Sequence, residues 1–187
     1  LVLFGLVNTA LHYFFFYLGV SNSPGGRASI LDSLGTFLLI LAAAVVFREK
    51  LTLRSIFGCL LGFSGIVLIN LGSTAGQFTL SGDGMLLCSS VCAMAGGLLT
   101  RVVTRKMDPL VATGHSLALG GALLIPAGLL MGAHPVGVHL KGLLILAALV
   151  VVSAVGFSFY NQLLRYHPVG QIAIYNAFIP VLGVVLS

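Results

Sequence analysis

The sequence has very few charged residues: only 7% of its 187 residues are Asp, Glu, Lys or Arg, whereas 58% are hydrophobic. A soluble domain carries about a quarter charged residues, so this composition excludes an ordinary soluble domain. The mean hydropathy of +1.13 agrees. The four acidic side chains are too few to supply the paired carboxylates or the metal ligands of most hydrolases, so no enzymatic activity is expected.

Cysteine is also scarce. Cys59, Cys88 and Cys92 all lie inside apolar segments, which argues against a disulfide framework. Cys88 and Cys92 are one helical turn apart, so a shared metal ion is an alternative to simple packing. No histidine or carboxylate lies near them in the sequence, and we therefore expect no metal and no bound cofactor.

The net charge is +5, but its distribution does not suggest a nucleic-acid partner. The nine Lys and Arg residues lie in short gaps between apolar runs instead of along one basic stretch. A positive excess in short loops is typical of membrane topology. The expected surroundings are therefore a lipid bilayer.

Seven apolar runs approach the length of about 20 residues that a membrane-spanning helix needs. They cover residues 1–20, 28–47, 54–72, 83–100, 109–132, 141–161 and 169–187. The gaps are short and several are rich in turn-forming residues, so neighbouring helices should be antiparallel. The sequence predicts an all-α integral membrane protein with about seven transmembrane helices.

The basic residues alternate between the gaps. Seven lie in the second, fourth and sixth gaps, and the first and fifth gaps hold only Arg27 and Lys141. The seven are Arg48, Lys50, Arg54, Arg101, Arg105, Lys106 and Arg165. Because cytoplasmic loops carry the excess of Lys and Arg, the even gaps and Leu1 are predicted to lie on the cytoplasmic side of a bacterial plasma membrane.

Two parts of the chain resemble each other at an offset of 144 residues. At this offset Thr9–Leu41 lies on Ser153–Val185 without a gap, and Pro24 meets Pro168. Both copies have an aromatic helix end, a Pro-x-Gly turn and an apolar helix. Because the two turns fall on opposite sides of the predicted topology, the copies form an inverted repeat, which is a hallmark of secondary transporters.

The repeat predicts two domains. Residues 1–76 would be the last three helices of the first repeat, and residues 77–187 the first four helices of the second. The sequence begins and ends inside apolar runs. At the repeat offset, the fourth apolar segment has no counterpart in the first repeat, and the third segment has none in the second. We therefore expect an internal fragment of a ten-helix protein with two inverted five-helix halves.

Several short motifs accompany these helices. They are the helix entry at Pro24–Ser29, the corner at Phe47–Thr52, Gly58, the helix end at Gly65–Leu68 and the late stretch Tyr175–Val181. With these motifs the chain resembles the EamA-type permeases of the drug/metabolite transporter superfamily, over essentially its whole length. The first copy departs from the second at Thr36, which lies where the second has Pro180.

The resemblance implies secondary transport by alternating access, mostly export of amino acids, other metabolites or drugs. It does not define the substrate. The drive would be a proton or substrate gradient, so proton coupling is one option. The oligomeric state stays open, with a monomer of the full-length protein as one option.

Asp32 is the most informative single residue, because an acid inside an apolar helix is costly and normally faces a cavity or a partner. Its repeat mate is Asn176, and together they suggest a substrate or proton site. The alternative is that Asp32 lies near the outer interface and pairs with Arg27. The full set of predicted cavity residues is Asp32, Asn176, Tyr175, Pro180, Phe15, Phe159 and Tyr160.

The corner at Arg48, Glu49 and Lys50 is a candidate for a cytoplasmic gate or, alternatively, for a local ion pair that closes the corner. Glycines four residues apart, Gly58 with Gly62 and Gly128 with Gly132, predict close helix packing.

A protease is the competing function. Gly62–Gly65 matches the Gly-x-Ser-Gly pattern of rhomboid intramembrane proteases, in which Ser64 and His115 would form a catalytic dyad. The predicted topology places these two residues about half a bilayer apart in depth, which disfavours this reading. A membrane scaffold or sensor without transport is the other alternative.

Overall fold

A computed structural model describes residues 1–48, 78–132 and 139–176, together with seven separate positions between residues 49 and 77. The described residues form helices and contain no β-strand, which confirms the predicted all-α fold. The helices are α1 (Val2–Ser21), α2 (Gly25–Val46), α3 (Leu80–Thr104), α4 (Pro109–Leu130), α5 (Leu140–Tyr166) and α6 (Val169–Asn176).

Helices α1 to α5 are each long and apolar enough to cross a membrane. They coincide to within a few residues with five of the seven predicted segments. The predicted third segment, 54–72, lies mostly outside the described residues. The seventh begins with α6, and its remainder also lies outside them.

Helix ends follow from local chemistry. Asp108 caps α4, because its Oδ1 accepts the backbone N–H groups of Leu110 and Val111 at 2.8 and 3.4 Å. Pro109 occupies the first helical position, where the missing N–H costs nothing. At the end of α2, Arg48 adopts a left-handed conformation with φ of 52°, which stops the helix before the predicted cytoplasmic corner.

Helix α3 lies at the centre of the described bundle and packs against α1, α2 and α5. Helix α1 is held between α3 and α4, and α6 packs against α2. The buried apolar core joins α2 to the end of α5 and the start of α6. It consists of Leu39, Ile40, Ala43, Leu164, Val169 and Ile172.

Glycines bring the central helices close together. A Cβ atom added at Gly96 of α3 would lie 2.6 Å from Asn8 Oδ1, and one at Gly120 of α4 would collide with Thr9. The prediction that Gly132 mediates helix packing was wrong. Gly132 has φ of 84° and no neighbour within 4 Å of an added Cβ atom, so it serves the turn that ends α4.

Helix α5 presents an exposed apolar surface over residues 140–157, every one of which is exposed in the described bundle. Apolar side chains are stable against lipid, which is as apolar as they are. The starts of α2 and α6, at Gly25 and Val169, are related by the same offset of 144 residues as the sequence repeat. The boundary between the two predicted domains stays a prediction.

Candidate functional site

The first feature of the site is a widened section of α1. Residues Leu6–Leu11 form a π-helix inside an otherwise α-helical span. π-Helical sections are rare in proteins, but those that occur are often found at functional sites. Their wider turn redirects the side chains. Asn8 and Thr9 lie in this section, and His12 and Tyr13 follow directly after it.

A polar seam joins α1 to α4. The hydroxyl oxygens of Thr9 and Ser116 are 2.8 Å apart, and Asn8 Nδ2 donates a hydrogen bond of 3.2 Å to Ser116 Oγ. Thr9 and Ser116 are almost fully buried, at 4% and 1% exposure. Buried polar groups are stable only when they are hydrogen-bonded, so this seam needs the close approach that Gly120 permits.

A second polar contact joins α5 to α4. Asn161 Nδ2 donates to Thr113 Oγ1 at 2.7 Å, and the Thr113 hydroxyl in turn donates to the carbonyl oxygen of Pro109 at 2.7 Å. Asn161 is 5% exposed. Within the described residues, its carbonyl oxygen Oδ1 accepts no hydrogen bond.

A third contact joins α1 to α3. His12 Nδ1 lies 3.1 Å from Ser89 Oγ and 3.3 Å from the Ser89 carbonyl oxygen, and the same hydroxyl can also donate to the His12 carbonyl oxygen at 3.2 Å. All of these contacts use Nδ1 or the backbone. The second ring nitrogen, Nε2, makes no hydrogen bond within the described residues, and His12 itself borders the cavity.

These polar contacts surround a cavity of about 160 Å³. Its polar lining comes from α1, α2, α3, α4 and α5, and its aromatic lining from Tyr13, Phe157 and Tyr160. The other lining residues are Asn8, Thr9, His12, Gly35, Thr36, Leu39, Ala93, Gly97, Thr100, Thr113, Ser116, Leu117 and Asn161. Both predicted repeats therefore contribute to one cavity.

An ion pair closes the end of the bundle where α2 and α3 begin. Arg27 Nη1 donates to Asp83 Oδ2 at 2.9 Å, and Asp83 is completely buried. The same carboxylate accepts hydrogen bonds from Ser23 Oγ at 2.6 Å and from the Thr79 N–H at 2.9 Å. A charged group at this depth is stable because every one of these contacts compensates for lost hydration.

Arg101 joins three elements at the other end. Its Nη1 donates to the His167 carbonyl oxygen at 3.1 Å, and its guanidinium lies 5.1 Å from the centre of the Phe47 ring. Arg101 is 7% exposed. This side chain links the end of α3 to the end of α2 and to the corner between α5 and α6.

Comparison with known proteins agrees with this architecture. A sequence model of the EamA-like transporter family matches residues 1–71 and 80–187. The chain belongs to the EamA-like transporter family. A solved crystal structure superposes on 98% of this EamA-like chain, and on 66% of its own, with a TM-score of 0.74 at 20% sequence identity, which shows the shared fold.

Two of three curated relatives are named as transporters. An uncharacterized transporter of Archaeoglobus fulgidus is 25% identical over 65% of this chain and 43% of its own length. An uncharacterized transporter of Synechocystis is 28% identical over 72% of this chain and 46% of its own. A WAT1-related chloroplastic protein of Arabidopsis thaliana is 28% identical over 67% and 31%. The chain thus spans less than half the length of these relatives.

The predicted cavity residues do not all lie at the cavity. Tyr160 lines the cavity, together with its neighbour Phe157. Phe15 is not among the lining residues, and Phe159 is 65% exposed and borders a separate surface groove on α4 and α5. Tyr175, on α6, is 69% exposed.

Asp32 lies outside the lining and is exposed in the described bundle. Arg27 pairs with Asp83 and not with Asp32, so the alternative reading of Asp32 as the partner of Arg27 was wrong. Asp32 instead lies within electrostatic range of His12. Its role as a substrate or proton site stays a prediction.

Four other predicted positions fall outside what the structure describes. These are Glu49, Lys50, Pro180 and the side chain of Asn176, whose backbone ends α6. Arg48 is described, and its backbone ends α2 as stated above.

The protease dyad is not formed. The Ser64 hydroxyl donates to the Leu61 carbonyl oxygen at 3.0 Å, and His115 Nε2 is buried without a hydrogen-bond partner. Within the described residues, no group of three or more His, Cys, Asp or Glu side chains is arranged to hold a metal ion.

Most of the cavity's polar residues were not predicted from the sequence. Asn8, Thr9, His12, Ser116 and Asn161 are each isolated polar side chains inside apolar runs, which is a usable signal. None of the five was predicted, although Phe15 was predicted on the helix that carries Asn8, Thr9 and His12, and Tyr160 directly precedes Asn161.

Proposed function

We propose that the full-length protein is a secondary transporter that exports a small solute by alternating access around this cavity. The main support is that both predicted repeats line one cavity. Its lining residues lie between positions 8 and 39 in the first repeat and between positions 93 and 161 in the second. Inverted-repeat transporters bind their substrates at the repeat interface. The names of the curated relatives support the same class of function.

The Arg27–Asp83 pair supports the mechanism. It links the start of α2, in the first predicted repeat, to the start of α3, in the second. Rocking of one repeat against the other would have to separate these two residues when the outer side opens. In this mechanism the pair acts as the outer closure. The cavity residues on α3, α4 and α5 lie in the halves of these helices nearer to the predicted cytoplasmic side.

The proposed location is the plasma membrane of a bacterium, with Leu1 in the cytoplasm. The distribution of the basic residues supports this orientation. No metal or prosthetic group enters the proposal. A gradient of protons or of the solute would supply the drive.

Reconstitution of the full-length protein into lipid vesicles tests the proposal. Vesicles loaded with radiolabelled metabolites should lose label faster than protein-free vesicles, and imposing a pH gradient should reveal any coupling to protons. Equal loss from both kinds of vesicle would contradict transport. Cleavage of a membrane-tethered peptide that disappears in Ser64→Ala would instead support the protease.

A further inference from the structure

The cavity lining is polar but carries no formal charge. Of the sixteen described residues that surround it, none is Asp, Glu, Lys or Arg. The polar members are hydroxyls, two carboxamides and one imidazole. Asp32, the acidic group within electrostatic range of His12, lies outside the lining.

Asn161 Oδ1 and His12 Nε2 are among the lining atoms that make no hydrogen bond within the described residues. The amide nitrogen of Asn161 already donates to Thr113, so the carboxamide oxygen Oδ1 is the atom of this side chain that can accept a hydrogen bond from a ligand. His12 Nε2 is a donor or an acceptor according to the tautomer, because Nδ1 is engaged with Ser89. The rings of Tyr13, Phe157 and Tyr160 also border the cavity and offer apolar contact.

The energetics of burial then discriminate between solutes. Transfer of an unpaired charge into a site without a countercharge is strongly unfavourable, whereas hydroxyl and amide groups need only hydrogen-bond partners. The lining supplies such partners in both senses, since each hydroxyl and carboxamide can donate and accept.

We propose that this cavity binds a small solute without net charge, which carries hydroxyl or amide groups and is held by Asn161 Oδ1 and His12 Nε2. This inference rests on the proposed transport function and adds the substrate class and its two contact residues. Neither Asn161 nor His12 is among the cavity residues predicted from the sequence.

The substrate class is tested on the full-length protein in vesicles. The probe is a radiolabelled extract of whole-cell metabolites, divided by ion exchange at pH 7 into uncharged, anionic and cationic fractions and loaded separately. We expect protein-dependent loss of label from the uncharged fraction alone. Loss from the anionic or cationic fraction instead would overturn the substrate class while leaving transport intact. Loss from none would contradict transport itself and this inference with it.

The contact residues are tested by changing their chemistry with little change in size. Asn161→Asp introduces a carboxylate at the same position. Because this variant keeps an acceptor oxygen, its added charge should admit label from the cationic fraction. Asn161→Leu removes the acceptor and should lower the loss of uncharged label about three- to tenfold, the usual effect of one hydrogen bond. His12→Leu should lower the uncharged flux by a similar factor.

Gln162→Leu is the matched control, because Gln162 is adjacent to Asn161 but exposed and outside the cavity. Its flux and charge preference should equal those of the wild type. A thermal unfolding curve for each variant identifies any that fails to fold. If folded Asn161→Asp keeps the wild-type flux and preference, Asn161 does not contact the solute.

Discussion

Arg27 and Asp83 form a buried ion pair with 2.9 Å between Nη1 and Oδ2, and it joins two helices whose starts are 55 positions apart in the sequence. Ser23 and the Thr79 N–H donate to the same carboxylate, so four residues around the starts of α2 and α3 are joined at this point.

Removal of the Asp83 charge should destabilise the protein strongly. Loss of one partner from a buried ion pair costs about 3–5 kcal/mol, because the other charge stays buried without compensation. Asp83→Asn should therefore lower the unfolding temperature in detergent by several degrees. Asp108→Asn is the control, since Asn caps a helix as well as Asp does. Equal unfolding temperatures for the two variants would contradict a stabilising pair.

Gly120 should not tolerate a methyl group. Gly120→Ala would force its Cβ atom against Thr9 and separate α1 from α4 at the polar seam. Overpacking of this kind costs about 1–3 kcal/mol. Gly121→Ala is the neighbouring control, because nothing lies within 4 Å of its added Cβ atom. Thermal unfolding should rank Gly120→Ala below the wild type and Gly121→Ala level with it or above. The reverse order would show that the two helices are not in close contact.

Arg101 should be more sensitive to a conservative change than Arg105. Lysine retains the charge but cannot reproduce the planar guanidinium that both donates to His167 and stacks on Phe47. Arg101→Lys should cost up to about 1.5–3 kcal/mol, the range for hydrogen bonds to charged groups. Arg105 is exposed, so Arg105→Lys should leave the unfolding temperature unchanged. A comparable loss in both variants would count against the three-way link.

Asp32→Asn examines proton coupling. If the Asp32 carboxyl carries the proton, export by the variant should lose its response to an imposed pH gradient while binding of the solute persists. Flux from vesicles at several internal pH values measures this. Asp108→Asn serves again as the control for loss of a carboxylate. A variant with wild-type flux and wild-type pH response would remove Asp32 from the mechanism.

Membrane orientation can be checked with single cysteines. Lys106→Cys and Lys141→Cys, placed in a full-length background whose native cysteines are replaced by serine, lie in a predicted inner and outer gap respectively. A membrane-impermeant thiol reagent applied to intact cells should label only the second. Labelling of the first alone would invert the proposed topology.

Hydropathy was sufficient to predict the five spans that the structure describes. The ends of α1 to α5 were predicted to within a few residues, because the bilayer imposes a nearly constant apolar length on each helix. The family was also recognisable, since Pro24–Ser29 and the corner beginning at Phe47 are local motifs that survive without knowledge of packing.

The pairing of residues across helices was not predictable in the same way. One of the two readings of Asp32 paired it with Arg27, five residues earlier on the same helix, but Arg27 pairs with Asp83 on another helix. Glycine spacing pointed to Gly132, whereas the glycines that make close contacts among the described residues include Gly96 and Gly120. The face that a helix presents to each neighbour depends on the rotation and tilt of the helix. Apolar periodicity gives little information about that face, because the lipid and the protein interior are equally apolar.

The length and composition of continuous segments were enough to show that this protein lies in a membrane, where five of its helices cross and which family it belongs to. Helix packing was needed to show that Asn8, His12 and Asn161 surround one cavity with no charged residue in its described lining. These residues lie on α1 and α5, which are far apart in the chain, and their chemistry becomes a site only when packing brings the helices together.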